Sequence, residues 1–301
     1  MSEATVSPEI RELRWSEDLP MDWLHLTVKE SVLVREWVRV GPMSFRFRAQ
    51  WPAGHGGRPA SRLACQTHRQ AGLFIAHSAF GVPRTHETLL SDLSLSVDPA
   101  HTLPEGERVP LDLEVTCREG GRGGRVLTGL HVETTIRHHG VVIGTVTATF
   151  SWVSPGVYRR MRGGRCRFTA GGIPVLSPVP PKSVGRAEPA GVTLAPADGP
   201  GRYLLRCDFA DTMLFDHPTD HVPGMVLAEA AEQAAYAVTA GRCVPDRMAS
   251  TFLRYVEFDE PCLIEAVERP SGRPGITEVE VTARHRGGEV AFRAVLSGTA
   301  H

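Results

Sequence analysis

The sequence predicts an α+β fold built twice: two similar halves, each a long central helix wrapped by an antiparallel β-sheet. Three observations predict it. Residues Ala64-Cys65-Gln66-Thr67-His68-Arg69-Gln70-Ala71 set over Leu227-Ala228-Glu229-Ala230-Ala231-Glu232-Gln233-Ala234, at an offset of about 160 residues. Further matches follow in the same order: Val82-Pro83 near Val244-Pro245, Asp98-Pro99 near Glu260-Pro261, and Arg137-His138-His139-Gly140 near Arg284-His285-Arg286-Gly287. Ordered matches at a nearly constant offset mark a duplication. Each copy also places one helical segment before a run of segments that alternate with period two.

Taken in order, residues 1–22 read as a loosely ordered lead-in. Thr27 to Ala49 reads as two strands around Gly41-Pro42, with Phe45-Arg46-Phe47-Arg48-Ala49 alternating; Trp51 to Ser61 is a Gly/Pro loop. Arg62 to Phe80 is helical, anchored by Leu63, Leu73, Phe74 and Ile75. Leu89 to Val97, Val109 to Arg118, Arg125 to Arg137 and Val141 to Val153 read as strands, the last two joined by a tight His139-Gly140 turn. Gly163 to Gly201 holds Pro174, Pro178, Pro180 and Pro181 and reads as an extended linker. The second copy then runs from Arg202: a strand to Phe209, a loop through His221, a helix over Pro223 to Thr239, and strands at Phe252–Phe258, Cys262–Glu268, Thr277–His285 and Glu289–Gly298.

The organisation is therefore a lead-in (1–22), an N-terminal repeat (23–162), a linker (163–201) and a C-terminal repeat (202–301). A long helix wrapped by such a sheet is the hotdog arrangement, and two in one chain make a tandem (double) hotdog. Such a chain would complete its sites between its own halves, as a monomer or a homodimer, with the two sheets meeting edge to edge so that open edges are covered. Two separate α+β domains with no shared interface are the alternative.

The formal net charge of −1 gives no bulk field for nucleic acid or a membrane surface. The six cysteines, Cys65, Cys117, Cys166, Cys207, Cys243 and Cys262, form no C-x-x-C pair, which argues against zinc or thioredoxin-type chemistry. The first residues lack the apolar stretch of a signal peptide, and no apolar run approaches the length of a membrane span. A soluble, reduced, cytoplasmic protein with no metal site is expected.

The chemistry concentrates in Leu214 to Ala235, where two Asp-His pairs precede a helix opened by Pro223-Gly224. Pro suits the first helical turn, and Gly224 lets a ligand approach free N–H groups that favour an anionic or carbonyl oxygen. Glu229 sits among Leu227, Ala228, Ala230 and Ala231. A carboxylate buried there would have a raised pKa and could exchange a proton; a solvated stripe with Glu232, Gln233 and Tyr236 is the plainer reading. Arg254 falls in Phe252 to Asp259, whose alternation puts Phe252, Arg254, Val256 and Phe258 on one strand face. An Arg on an apolar face needs an anion, either Glu229 or Glu232 in a salt bridge or a substrate phosphate or carboxylate. Asp208, Asp211 and Asp216 read as loop and capping residues.

These residues resemble a known family. Phe215-Asp216-His217-Pro218-x-Asp220-His221-Val222-Pro223-Gly224-Met225-x-Leu227-x-Glu229-Ala230-Ala231-x-Gln233 is similar to the second motif of the A-factor synthase (AfsA-type) family, whose members carry two hotdog repeats. Arg254-Tyr255-x-Glu257-Phe258-Asp259, Tyr158 to Gly163, and Thr67-x-Arg69-Gln70-Ala71 followed by His77 and Gly81-Val82-Pro83 resemble it too, so the likeness spans nearly the whole chain apart from the linker. The Pro-Gly-x-x-Leu-x-Glu-Ala core is also similar to hotdog dehydratases of fatty-acid synthesis.

The resemblance implies transfer of a β-ketoacyl group from an acyl carrier protein, or acyl-CoA, to the hydroxyl of dihydroxyacetone phosphate, with no cofactor. On it, Glu229, His221 and Gln66 are the candidate catalytic residues, and Arg254, Arg69, His217, Gly224 and Gln233 the candidate substrate-binding ones. Two positions depart from the pattern: the family usually has Glu at 66 and Arg at 232, where this chain has Gln66 and Glu232. An amide is no general base, so proton transfer is expected to rest on Glu229. A non-catalytic acyl- or signal-binding protein and a hotdog dehydratase or thioesterase remain alternatives.

Overall fold

The structure, a computed structural model, describes residues 14–53, 60–123, 126–167, 173–285 and 287–299. The N-terminal half runs β1 (Val34–Gly41), β2 (Ser44–Trp51), α1 (Ser61–Ser78), β3 (Glu87–Val97), β4 (Val109–Gly123), β5 (Val126–His138) and β6 (Val141–Val153). A short helix α2 (Pro155–Arg162) follows. The C-terminal half repeats the order as β7 (Leu194–Pro196), β8 (Arg202–Leu205), α3 (Gly224–Val238), β9 (Arg247–Phe252), β10 (Cys262–Arg269), β11 (Ile276–His285) and β12 (Val290–Thr299).

Among the described residues the twelve strands form one sheet, ordered β1-β2-β4-β5-β6-β3-β9-β12-β11-β10-β8-β7. Exchange each strand for its counterpart in the other half and this order reads the same backwards. The seam is the antiparallel pair β3–β9, from Asp92 opposite Thr251 to Ser96 opposite Arg247. The strands that would otherwise be open edges thus satisfy one another, as the duplication predicts.

The sheet curls around α1 and α3, which also touch each other. Only Arg62, Arg69 and Ser78 of α1 escape full burial. Each helix is pinned to its half by a glutamine at the same place in the repeat. Gln70 Oε1 accepts from Leu33 N (2.8 Å) while its Nε2 donates to Ser31 O (2.7 Å). Gln233 Oε1 accepts from Thr193 N (2.9 Å) while its Nε2 donates to Gly191 O (2.8 Å). A buried amide that leaves a backbone donor and acceptor satisfied avoids a desolvation penalty of about 1–3 kcal/mol per group. Gln233 was expected to bind substrate; its amide is spent on this clamp instead.

Three expectations are corrected. Residues 181–196 are no extended spacer: 3-10 turns at Pro181–Val184 and Pro189–Gly191 and strand β7 pack there, with Val184, Val192 and Leu194 buried. They are the counterparts of the turns at Met21–Trp23 and Lys29–Ser31 and of β1, so the second repeat starts well before Arg202. The lead-in is ordered where described, since Ser16 and Trp37 exchange backbone hydrogen bonds at 2.9 Å. The strand read over Phe252–Phe258 lies at Arg247–Phe252, because beyond it Leu253 N and Arg254 N both turn to Ala291 O and pairing stops. The expected Gly/Pro loop lies largely outside the described residues.

Candidate functional site

A cavity of about 1220 Å³ opens between the halves. Its walls come from α1 (Cys65, His68, Arg69, Leu73), β3, α2, the loop 209–223 and the start of α3. Leu73, Leu90, Leu93, Phe150 and Leu227 make one part apolar. His68 stands in this wall, its Nδ1 2.8 Å from Thr134 Oγ1 and its ring stacked on Phe150; burial keeps it neutral, with a pKa lowered to about 3.

The loop before α3 carries both Asp-His pairs, and His217, Asp220 and His221 line this cavity. Asp220 Oδ1 lies 2.6 Å from His221 Nδ1 and accepts from Tyr158 Oη at 2.7 Å, while Asp220 Oδ2 lies 3.3 Å from Arg162 Nε. Burial works to raise the Asp220 pKa, but hydrogen bonds from His221 and Tyr158 and the Arg162 charge outweigh it and hold it at about 2. The carboxylate therefore stays ionised, fixes the Nδ1–H tautomer of His221 and leaves Nε2 as that ring's basic nitrogen. Arg162 is itself locked by two bonds to Glu257 (2.6 and 2.9 Å) and lies 4.3 Å from the Tyr255 ring centre. The second pair is built alike: Asp216, expected to be a loop or capping residue, is buried and joins His217 Nδ1 to Arg69 Nη1 (2.7 Å). Arg69 and His217 are thus brought together.

Helix α3 starts at Gly224, with Pro223 as the flanking residue rather than the first helical one. Gly224 is needed for packing as well as for access, since a Cβ there would lie 2.9 Å from the Phe252 ring and 3.3 Å from Leu90. The amides of Gly224 and Met225 precede the first intrahelical bonds and lie at the cavity wall, where N–H groups favour a negative oxygen.

Glu229 is elsewhere. It lines a narrow gap of about 10 Å³ between α1 and α3 with Gln66, Arg62 and Glu232. Its Oε1 accepts from Arg186 Nε (2.9 Å), Arg186 Nη2 (2.6 Å) and Gln233 Nε2 (2.7 Å). The expected raised pKa is not found: burial pushes it up, but Arg186 and Arg62 overcome that and hold it below the usual carboxylate range. Its neighbour Glu232 is the one pushed up, to about 7, by burial and by the Glu229 charge. Gln66 donates to Met213 O, away from the large cavity. Arg254 is off the strand, 57% exposed at the cavity rim and 3.5 Å from Glu289, and pairs with neither Glu229 nor Glu232. Its expected apolar face does not exist there. Sequence reasoning singled out neither Asp220 nor Arg186 for a role; adjacency to His221 was the available signal for the first, and for the second there was none. Among the described residues no set of three or more His, Cys, Asp or Glu converges as metal ligands would.

The chain matches the family model for the A-factor biosynthesis hotdog domain over residues 12–154 and 171–300. It is 38% identical to the 2-oxo-3-(phosphooxy)propyl 3-oxoalkanoate synthase of Streptomyces virginiae, covering 92% of this chain and 96% of that one. Identity is 37% to the synthase of the same name from Streptomyces coelicolor, over 94% of this chain and 92% of the relative. Among solved structures, the 12:0-ACP thioesterase of Umbellularia californica superposes with a TM-score of 0.53 at 12% identity, over 85% of this chain and 94% of that one. An acyl-ACP thioesterase from Bacteroides thetaiotaomicron gives 0.53 at 13% identity, over 83% and 96%. At that identity the likeness speaks to the hotdog fold alone. With both halves matched by the family model and relatives above 30% identity along almost its whole length, this chain belongs to the A-factor biosynthesis hotdog (AfsA) family.

Proposed function

We propose that this chain is an acyltransferase that joins a 3-oxoacyl group, carried as a thioester, to the hydroxyl of dihydroxyacetone phosphate, forming a 2-oxo-3-(phosphooxy)propyl 3-oxoalkanoate. The observation that carries the reading is the Asp220–His221 pair at the wall of a cavity next to the first turn of α3. His221 Nε2 takes the hydroxyl proton as the oxygen attacks the thioester carbon. The imidazolium that forms is stabilised by the ionised Asp220. Negative charge on the carbonyl oxygen is met by the Gly224 and Met225 N–H groups. As the C–S bond breaks, His221 returns the proton to the departing thiolate, so no other reactant is needed. The apolar wall takes the acyl chain. Arg254 at the rim meets the anionic arm of the donor, an acyl carrier protein or coenzyme A, as it enters. Glu229 is here a structural anion rather than the base.

The test is product analysis with a 3-oxoacyl thioester and dihydroxyacetone phosphate. A phosphorylated ester is expected. Free acid would mean a thioesterase, reaction only of 3-hydroxyacyl chains a dehydratase, and binding without turnover a non-catalytic protein. His221→Gln should lower kcat roughly 10²–10⁴-fold with the fold intact, whereas Glu229→Gln should cost less than about tenfold. The opposite ranking would return the base to Glu229.

A further inference from the structure

His25 has a left-handed backbone, φ +53°, a region that residues with a side chain rarely enter. Its counterpart in the second repeat, after the matching 3-10 turn, is Gly185 at φ +68°. The fold needs a left-handed residue at this place, and glycine would supply it without strain. The first repeat nonetheless carries an imidazole there, and it lines the large cavity. Residues held in such conformations cluster where a side chain is used.

The hydrogen bonds behind His25 fix which nitrogen it presents. His77 Nδ1 lies 2.7 Å from Val82 O, and a carbonyl only accepts, so the proton is on Nδ1. In that tautomer Nε2 is the acceptor, and His25 Nε2, 2.9 Å away, is the donor. That leaves Nδ1 the acceptor of a ring that lines the cavity. The ring stands 5.1 Å from the His77 ring and 6.2 Å from the His217 ring, centre to centre. The groups around it are Arg69 and His77 from α1, Asp216 and His217 from the loop before α3, Glu87 of β3, and the Arg84–Asp22 pair at the rim. Asp216 already has both oxygens engaged, one by Arg69 and one by His217.

We propose that this corner, formed by His25, Arg69 and His217, seats the phosphate group of a phosphate monoester, and that the phosphate binds together with one proton, taken onto His25 from solvent. The proposal rests on the acyltransferase reading only for the identity of the monoester. A phosphate dianion facing the bare Nδ1 lone pair would meet repulsion; a proton there turns the same atom into a charged donor. Burial, then the Arg69 charge and the two neighbouring imidazoles, lower the His25 pKa to about 4, with Asp216 opposing. A phosphate monoester has its second pKa near about 6. At neutral pH neither partner holds the shared proton, so binding must bring one in, and affinity must fall as pH rises.

Isothermal calorimetry of the full chain with dihydroxyacetone phosphate and with inorganic phosphate, in buffers of different ionisation heat and without acyl donor, reads this directly. About one proton should be taken up per phosphate above pH 7, and Kd should rise about tenfold per pH unit. His25→Gly copies the second repeat, so it should melt at or above the wild-type temperature yet lose at least about tenfold in phosphate affinity together with the proton uptake. His25→Asn tolerates the left-handed backbone and should lose the uptake as well. Wild-type affinity in either variant, binding without proton uptake, or a melting temperature that falls while phosphate affinity stays would overturn the proposal. Phosphate binding of this kind in a protein that forms no ester would remove the acyltransferase reading and leave the site. Ester formation with an unchanged KM for dihydroxyacetone phosphate in His25→Gly would do the reverse.

Discussion

The two repeats share a backbone plan and differ in what they do with the space beside the central helix. Beside α1 the space is kept open as a cavity of about 1220 Å³. The corresponding side of α3 is filled. In the register set by Gln70 and Gln233, Leu73 of the open side matches Tyr236 of the closed one. That ring packs over Gly185, where a Cβ would stand 3.2 Å from it, and its hydroxyl would stand 2.9 Å from a Cβ on Gly241. Arg69, which looks into the cavity, matches Glu232, which is drawn inward toward Arg186 and Glu229. The difference teaches that the two repeats share the clamps and the sheet pairing, while Arg69 of one helix lines the cavity and Glu229 and Glu232 of the other turn to Arg186 within their own half.

The comparison breaks most severely at Arg186. Arg186→Met would leave the Glu229 carboxylate, 2% exposed, without its cation. A loss of ~3–5 kcal/mol is expected by urea denaturation at pH 7, and adding Glu229→Gln should recover most of it. A cost under about 1 kcal/mol in the single variant would show that the ion pair does not secure the closed side. Next comes Gly185→His, which writes the open side's residue into the closed one. Overpacking against Tyr236 and a left-handed side chain should together cost ~2–4 kcal/mol. Tyr236→Ala in the same chain should relieve part of the clash, and a neutral single variant would mean that the closed side has room to spare.

The smallest effect is a pH dependence. The folded Glu232 pKa, about 7, lies above its unfolded value of 4.5, so the folded state binds this proton more tightly. The stability it contributes is complete below about pH 4.5 and is lost as pH rises through about 7. Glu232→Gln, always neutral, should therefore match wild type near pH 5 and exceed it by roughly 1–3 kcal/mol at pH 8. A constant difference across that range would place the titration elsewhere.

The repeat, the helices and most strands were legible because periodicity and turn residues report local structure. The strand over Val141–Val153 needed nothing more. The 163–201 stretch was misread because its Pro and Gly content hides 3-10 turns and a three-residue strand, elements too short to carry a period. Arg254 was misplaced because alternation over Phe252–Phe258 reads as a strand, although pairing ends at Phe252. The Asp-His motif marked a loop that lines the cavity, while the partners of Asp220, Tyr158 and Arg162 from α2, are tied to it by no spacing. Glu229 was read on the correct helix with the wrong electrostatics, since its cation comes from 43 residues away. The two departures from the family pattern, Gln66 and Glu232, face the same narrow gap, so they form one local change rather than two scattered ones.

The order of strands across the seam has a consequence for how such a molecule can change over generations. Where two identical chains pair along β3-like edges, every substitution is made on both sides of the axis, and closing one pocket closes its twin. Here one gene encodes both sides of the β3–β9 seam, so each side mutates alone. One side of the fold can then fill the space beside its helix while the side beside the other helix stays open, an asymmetry that a symmetric pair of identical chains has no way to inherit.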